Sequence, residues 1–130
     1  MADDGNRSER GLAARSAAVI RIDALWLCTQ PQDMRAGAER LMAQVVHALG
    51  RVRMHHGYLF ANSRATRLKL LVHDGFGLWC AARRLNTGRF VWPREIDASK
   101  PMELTREQFD ALVVGLPWQR LPELHEITRL

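Results

Sequence analysis

Cysteine is scarce in this chain of 130 residues, and its scarcity excludes two common kinds of small domain. The two cysteines, Cys28 and Cys80, lie far apart, each alone inside an apolar run. Disulfide scaffolds and zinc ribbons need several paired or closely spaced cysteines, so we expect neither, and isolated thiols suit a reducing cytoplasm. The sequence also lacks a run of about 18 apolar residues, the length that a membrane span requires. Because its N-terminus has no apolar stretch of the signal-peptide kind, we expect a cytoplasmic protein.

Motifs for phosphate binding and covalent catalysis are missing as well. The sequence has no Gly-rich phosphate loop and no serine or cysteine nucleophile motif. Two-metal cleavage of DNA needs carboxylates that converge on ions about 4 Å apart. Asp33, Asp74, Glu95 and Asp97 are available, but Asp33 is placed to cap a helix and Asp74 to form a turn. We therefore predict that the protein is not an enzyme and uses no cofactor.

Three histidines, His55, His56 and His73, are the remaining candidates for metal ligands. Adjacent residues on a strand point to opposite faces, so His55 and His56 are poorly spaced to share one ion. We expect solvated or core histidines here and no metal site.

Acidic residues are almost absent from the middle of the chain. Residues 51–94 carry nine basic side chains and one acidic side chain, whereas residues 95–130 carry four basic and seven acidic ones. Such asymmetry indicates a surface that binds a polyanion. Arginine supplies 17 of the 19 cations, and its planar fork matches phosphate better than the point charge of lysine. A GC-rich genome would equally explain the excess of arginine, but it does not explain the clustering.

The first half of the chain predicts a disordered leader, a strand and a helix. Residues 1–18 are small and polar without an apolar period, which is typical of a disordered leader. The apolar run Ile20–Cys28 predicts a strand. From Met34 to Leu49, apolar residues recur at three- and four-residue steps, with Asp33 as the expected cap and Gly50 as the expected end.

The second half predicts a β-meander followed by a short helix. Four segments have strand character: Tyr58–Ser63, Arg67–Asp74, Gly77–Leu85 and Arg89–Trp92. A second helix, near residues 105–114, begins at a capping box of Thr105 and Gln108, and Trp118 should pack back on the core. We predict one α+β domain over residues 19–118, with an antiparallel β-meander sheet covered on one side by both helices, and a C-terminal tail at 119–130.

The turn between the two central strands sets their register. A two-residue loop at Gly75-Phe76 places Arg84 opposite Arg67 on one face, and Trp79 opposite Val72 on the other, which we expect to be buried. Like charges that lie directly opposite each other destabilise a sheet. We therefore expect an anion to bind at such a pair in the sheet.

Phe90 and Trp92 have two possible positions. A three-residue loop at 86–88 would place them beside Arg84 and Ala82, forming an aromatic and arginine surface for unpaired bases. A four-residue loop would instead turn both aromatic side chains into the core with Trp79. The second possibility is favoured because large aromatic residues are usually buried.

Four segments in order, CTQPQDMRAG, LFANSRATRLKLLVHDGFGLW, RRLNTGRFVWP and LTREQFDALVVGLPW, carry a resemblance to a known family. Over about Ile20–Trp118 the chain resembles the TnpB-type, Orf2-like accessory protein of the IS sixty-six insertion-sequence family of bacteria. That family is distinct from the RNA-guided nucleases also called TnpB. The resemblance implies a helper in transposition, encoded beside a separate transposase that carries the catalytic carboxylates.

Two functions are compatible with these observations. The first is a non-catalytic accessory protein that binds DNA, at the element ends or non-specifically, and associates with the nucleoid when bound. The second is an adaptor that docks on the transposase of the same element through the acidic C-terminal third. For the first, the expected phosphate contacts are five cations: Arg64, Arg67, Lys69, Arg84 and Arg89.

Overall fold

The computed structural model describes residues 20–93, residues 100–119 and Leu121. These residues form five strands and two helices. In chain order they are β1 (Ala24–Leu27), α1 (Ala38–Leu49), β2 (His56–Ala61), β3 (Arg67–His73), β4 (Leu78–Arg84), β5 (Met102–Leu104) and α2 (Arg106–Val113). The predicted leader, residues 1–18, and most of the predicted tail lie outside the described residues. The domain boundaries therefore stay predictions.

All five strands belong to one mixed sheet, in the order β4-β3-β2-β1-β5. β1 runs parallel to β2, and every other neighbouring pair is antiparallel. The sheet is therefore not the purely antiparallel one we predicted. It differs because β1 lies between β2 and β5, and because α1 supplies the long crossover that a parallel pair needs.

The predicted strand at Arg89–Trp92 is wrong, and β5 was not predicted. After β4, Gly88 adopts a left-handed φ of 80°, and the chain leaves the sheet. The Phe90 amide then donates to the carbonyl of Ala65, 2.8 Å away, in the turn before β3. β5 has only three residues, which is too short for an alternating pattern to stand out in the sequence.

β2 is buried on both faces, and this places the two helices on opposite sides of the sheet. Leu59 packs in a cluster with Leu112 of α2. Its neighbours Tyr58 and Phe60 point the other way and pack in a second cluster with Leu41 of α1. Our prediction that both helices cover one side is therefore wrong, because β2 is apolar at successive positions and needs cover on each face.

α1 begins later than predicted. Its first helical residue is Ala38 and its N-cap is Gly37, so Asp33 is not the cap. Asp33 instead closes a turn before the helix, accepting a hydrogen bond from the Arg35 amide at 2.9 Å. Gly50 ends the helix at a φ of 86°, as predicted from the freedom of glycine in the left-handed region.

α2 begins and docks as the sequence predicts. Thr105 and Gln108 form the capping box, each side chain accepting a bond from the other residue's backbone amide. Trp118 follows the helix, is fully buried, and donates from Nε1 to the Val91 carbonyl at 2.7 Å. This single side chain holds both the end of α2 and the segment after β4 against the sheet.

Replacing Trp118 with Ala should therefore lower the free energy of unfolding by about 3–5 kcal/mol, because a large cavity opens in the core. Urea unfolding followed by far-UV circular dichroism measures the change. Trp79→Ala is the matched control. Trp79 is 51% exposed on β4, and its replacement should cost about 1 kcal/mol or less. Equal losses for the two variants would contradict this assignment of the core.

Candidate nucleic-acid interface

The turn between β3 and β4 fixes the register of the two strands that carry most of the candidate cations. Asp74 Oδ1 accepts hydrogen bonds from the amides of Phe76, at 2.9 Å, and Gly77, at 2.8 Å. Gly75 occupies the turn with a φ of 90°, which glycine adopts without strain. The resulting ladder pairs Arg67 with Arg84 and Lys69 with Ala82. The predicted register of this hairpin is confirmed.

Arg67 and Arg84 therefore lie directly opposite each other, and both are exposed. By strand alternation they share the sheet face that α1 covers further along, together with Lys69. Lys69 is half-buried and donates from Nζ to the carbonyl of Ala36 at 3.2 Å. An ammonium group has three donors, so two remain for other acceptors.

Arg64 and Arg89 lie at the same end of this hairpin. Each is exposed, and each immediately precedes one of the two residues joined by the hydrogen bond between the Phe90 amide and the Ala65 carbonyl. The backbone thus gathers the four predicted arginines at the end of the hairpin that lies opposite the turn. We call these arginines and Lys69 the arginine face: Arg64, Arg67, Lys69, Arg84 and Arg89.

Within the described ranges, none of the four arginines of this face forms an ion pair. The ion pairs found there join Arg21 to Asp23, Arg35 to Asp33 and Arg106 to Asp110. Glu103, one of the acids that could have neutralised the face, lies on β5. β5 is three strands away from β3, or about 14 Å at the usual spacing of strands. Glu103 is therefore too far from the arginine face to compensate its positive charge.

Two adjoining depressions extend the arginine face. One, of about 320 Å³, includes Arg67, Lys69 and Arg84 in its lining. The other, of about 490 Å³, includes Arg35 and also Arg67. Arg67 thus belongs to both. Sequence reasoning missed Arg35, because the predicted helix began at Met34 and placed it on an exposed helical face, whereas the turn at Asp33 holds it beside the sheet.

The predicted aromatic surface is absent from the arginine face. Phe90 is 3% exposed and packs with Leu112 and Trp118 in the core, and Trp92 is half-buried against the same cluster. Of the two positions considered for these residues, the stacking surface for bases is therefore wrong, and the favoured buried position is confirmed for Phe90. Trp79, which we expected to be buried, is 51% exposed, because β4 is an edge strand whose whole length is exposed.

Arg83, next to Arg84 on the same strand, lies on the opposite face of the sheet and makes a structural contact. By alternation it points away from Arg84, and its Nε donates to the carbonyl of Val113 at the end of α2. The last carbonyls of a helix have no partner within the helix, and a cation there also favours the helix dipole. From the sequence, strand alternation alone distinguishes Arg83 from Arg84.

The candidate catalytic carboxylates that the structure describes hold turns. Asp33 and Asp74 both serve turns, and Glu95 and Asp97 lie outside the described residues. Over the described ranges, no three His, Cys, Asp or Glu side chains come together in a way that could hold a metal ion. Cys28 lines a separate pocket of about 170 Å³. Burial raises the pKa of its thiol to about 12, so its thiolate is scarce at neutral pH.

The chain belongs to the family described as IS66 Orf2 like protein, whose model matches residues 23–123. It is similar to two proteins of Sinorhizobium fredii strain NGR234. It is 31% identical to uncharacterized protein y4jC over 75% of this chain and 82% of that protein. It is 27% identical to uncharacterized protein y4hO, over 82% of this chain and 91% of that protein. No solved structure matches.

Membership of this family implies an accessory role in the transposition of IS66-type elements. Neither helix in the described ranges has the length and apolar character needed to cross a membrane.

Asp74 gives a test of how the hairpin is held. Hydrogen bonds from the amides of Phe76 and Gly77 keep the pKa of this carboxyl below its usual value. A carboxyl with a lowered pKa stabilises the fold above its unfolded pKa, near 4, and loses that contribution as the pH falls through the folded pKa. We expect Asp74→Asn to lose stability at pH 7 and to differ less from the native protein at pH 2–3.

Thermal melts of both proteins across this pH range measure the difference. Asp23→Asn is the control, because Asp23 also has a lowered pKa, through Arg21, but lies outside the hairpin. Hydrogen exchange should show faster opening of β3 and β4 in Asp74→Asn and not in Asp23→Asn. Equal exchange in the two variants would contradict the role of Asp74 in the hairpin.

Proposed function

We propose that this protein is a non-catalytic accessory factor of transposition that binds nucleic acid through the arginine face. The observation that carries the proposal is the direct cross-strand pairing of exposed Arg67 with exposed Arg84. Within the described ranges neither arginine has an acidic partner. A phosphate between two such side chains would remove the repulsion and accept hydrogen bonds from both guanidinium forks.

The repulsion between Arg67 and Arg84 favours a bound anion at the arginine face over the same face without a ligand. Directly opposed like charges cost a sheet a few tenths to about 1 kcal/mol. Arginine also presents five donors in a planar fork, so it binds a phosphate with defined geometry. The depressions around Arg67 are lined by further cations, Lys69 and Arg84 in one, and in the other Arg35, which is paired with Asp33. A row of phosphates along a nucleic-acid backbone suits such a series of cations better than a single small anion.

The family supports the identity of the ligand. The family implies an accessory role in transposition, so DNA and the transposase of the same element are the partners we propose. In this proposal the protein acts in the bacterial cytoplasm and associates with the nucleoid when bound to DNA. Because phosphate contacts position a protein rather than read a sequence, the arginine face alone should not distinguish the element ends from other DNA.

An adaptor function is the second candidate, and one observation favours it. Val114 and Leu116, just after α2, are 52% and 54% exposed, next to a helix in which Glu107 and the ion pair of Arg106 with Asp110 leave a net charge of about −1. Such a surface could dock on the transposase without contact to DNA. A stable complex with the transposase that forms in the absence of DNA, together with no DNA binding by the protein alone, would favour this alternative.

The double variant Arg67→Ala/Arg84→Ala tests the DNA-binding proposal. Each phosphate contact contributes about 0.9 to the slope of log affinity against log salt on duplex DNA. Removing both arginines should flatten the slope by up to about two units, and by similar amounts for element-end and random duplexes. Fluorescence anisotropy across a salt series measures the slope. The fold should survive, because the repulsion between opposed charges is relieved.

Arg21→Ala/Arg106→Ala is the matched control. It removes the same total charge, but from two arginines that are already paired with Asp23 and Asp110. The control should leave the slope within about half a unit of the native value if the arginine face, and not net charge, carries binding. If Arg67→Ala/Arg84→Ala leaves the slope of log affinity against log salt unchanged and lowers the melting temperature, those arginines instead form pairs within the protein. That result would contradict the proposal.

A further inference from the structure

β4 is an edge strand that the helices leave largely uncovered, with the bond from Arg83 Nε to the Val113 carbonyl as a contact to α2. All seven of its residues are exposed, and among the described residues β3 is its only neighbour in the sheet. Exposed apolar side chains are concentrated at its beginning and in the turn before it. Phe76 is fully exposed, Leu78 is 38% exposed and Trp79 is 51% exposed. A long, apolar, unpaired edge is a template for another strand.

The backbone groups available on this edge follow from the hairpin. The Asp74 amide donates to the Gly77 carbonyl at 3.2 Å, so Asp74 and Gly77 form a hydrogen-bonded pair that closes the turn. In an antiparallel ladder such pairs alternate with pairs whose N–H and C=O groups point away from each other. Alternate residues of β4 therefore direct both groups outward, away from β3. These residues are Leu78, Cys80, Ala82 and Arg84.

The other end of the hairpin agrees with this assignment. The Arg67 carbonyl accepts from the Asn62 amide at 3.2 Å, and the Arg67 amide donates to Asn62 Oδ1 at 3.1 Å. The backbone of Arg67 is thus directed toward the β2 side, and Arg67 and Arg84 form a non-hydrogen-bonded pair. Arg84 accordingly directs its own amide and carbonyl outward.

The side chains of β4 are arranged so that the strand complements itself in the antiparallel direction. Its first two residues, Leu78 and Trp79, are large and apolar, and its last two, Arg83 and Arg84, are cationic. The three residues between them are small. We propose that β4 pairs with β4 of a second copy of this chain, antiparallel and over its full length, with Ala81 on the two-fold axis. Two five-stranded sheets then become one sheet of ten strands.

When all seven residues of both β4 strands overlap, one antiparallel register is possible. Leu78 then lies opposite Arg84 of the second copy, and Trp79 opposite Arg83. The bond from Arg83 Nε to the Val113 carbonyl lies in the plane of the guanidinium group, so it does not use the face that stacks on an indole ring. The two copies of Arg84 are about 20 Å apart along the strand direction, at about 3.4 Å per residue, so their charges do not oppose each other. A parallel arrangement would place Arg84 beside Arg84, which is unfavourable. A closed, isologous dimer results, because the two-fold axis leaves no β4 edge for a third copy.

Ala82→Pro is the sharpest test, because proline removes the outward amide of Ala82 and leaves the bonds to β3 intact. The two-fold axis doubles this loss, so the dissociation constant should rise about tenfold or more. Sedimentation velocity over a concentration series measures self-association without DNA. Ala81→Pro is the matched control. Its amide points toward β3, so it should lower the melting temperature at every protein concentration, whereas Ala82→Pro should match the native melt at concentrations where both proteins are monomers.

A disulfide trap fixes the register. In the proposed dimer the two copies of Ala81 form a non-hydrogen-bonded pair with Cα atoms about 4.5 Å apart, within the range that a disulfide spans. Cys80→Ala/Ala81→Cys should therefore give a covalent dimer on mild oxidation. The native Cys80 should not, because it lies diagonally from its copy, about 7–8 Å away. Cys28 is buried and present in both proteins.

Three outcomes would overturn the proposal: a monomer at every concentration, a dimer that Ala82→Pro leaves unchanged, or cross-linking through Cys80 in preference to position 81. A monomer whose Ala82→Pro variant loses a complex with the transposase would assign the edge to that partner instead. None of these measurements depends on DNA binding, so an experiment can contradict the β4 dimer without contradicting the proposed function, and the reverse.

Discussion

Both faces of β2 must be buried, and the rest of the structure depends on this constraint. Successive side chains of a strand point to opposite faces, so Leu59 on one side and Tyr58 and Phe60 on the other cannot all be buried by one layer. The chain solves this with α1 on one face and α2, with Trp118, on the other. α1 covers the sheet only as far as β3 on its own side, and on the other side α2 meets β4 at the bond from Arg83 to the Val113 carbonyl while the residues of β4 stay exposed. The exposed arginine pair and the exposed edge both follow from that incomplete cover.

Local features of the fold could be predicted from the sequence, and features that join distant segments could not. The register of β3 and β4 depends on four residues around Gly75 and on charge and size at neighbouring positions, so it was predicted correctly. The capping box at Thr105 and the end of α1 at Gly50 are local in the same way. The parallel pairing of β1 with β2 and the short β5 depend on contacts across tens of residues. Nothing within either segment specifies its neighbour.

The same distinction applies to the candidate site. Alternation within one hairpin was enough to place Arg67 opposite Arg84. The position of Phe90 could not be derived in this way, because it depends on a bond from its amide to Ala65 and on a core that Trp118 completes. Burial of Phe90 was favoured only on the general tendency of aromatic residues to be buried, and the same tendency gave the wrong position for Trp79. Trp79 lies on the edge strand β4, all of whose residues are exposed.

The position of β1 also has a consequence for how the chain folds as it is synthesised. β1 is made early, yet Trp26 lies opposite Glu103 of β5, near the other end of the chain. β2, β3 and β4 can pair as soon as they emerge, because each contacts its neighbour in sequence, whereas β1 must remain incompletely paired until β5 is made. Contacts between distant segments form slowly, and an unpaired apolar strand is prone to aggregation. The nascent protein is therefore most vulnerable between the synthesis of β1 and that of β5, and its last third completes the sheet as well as α2.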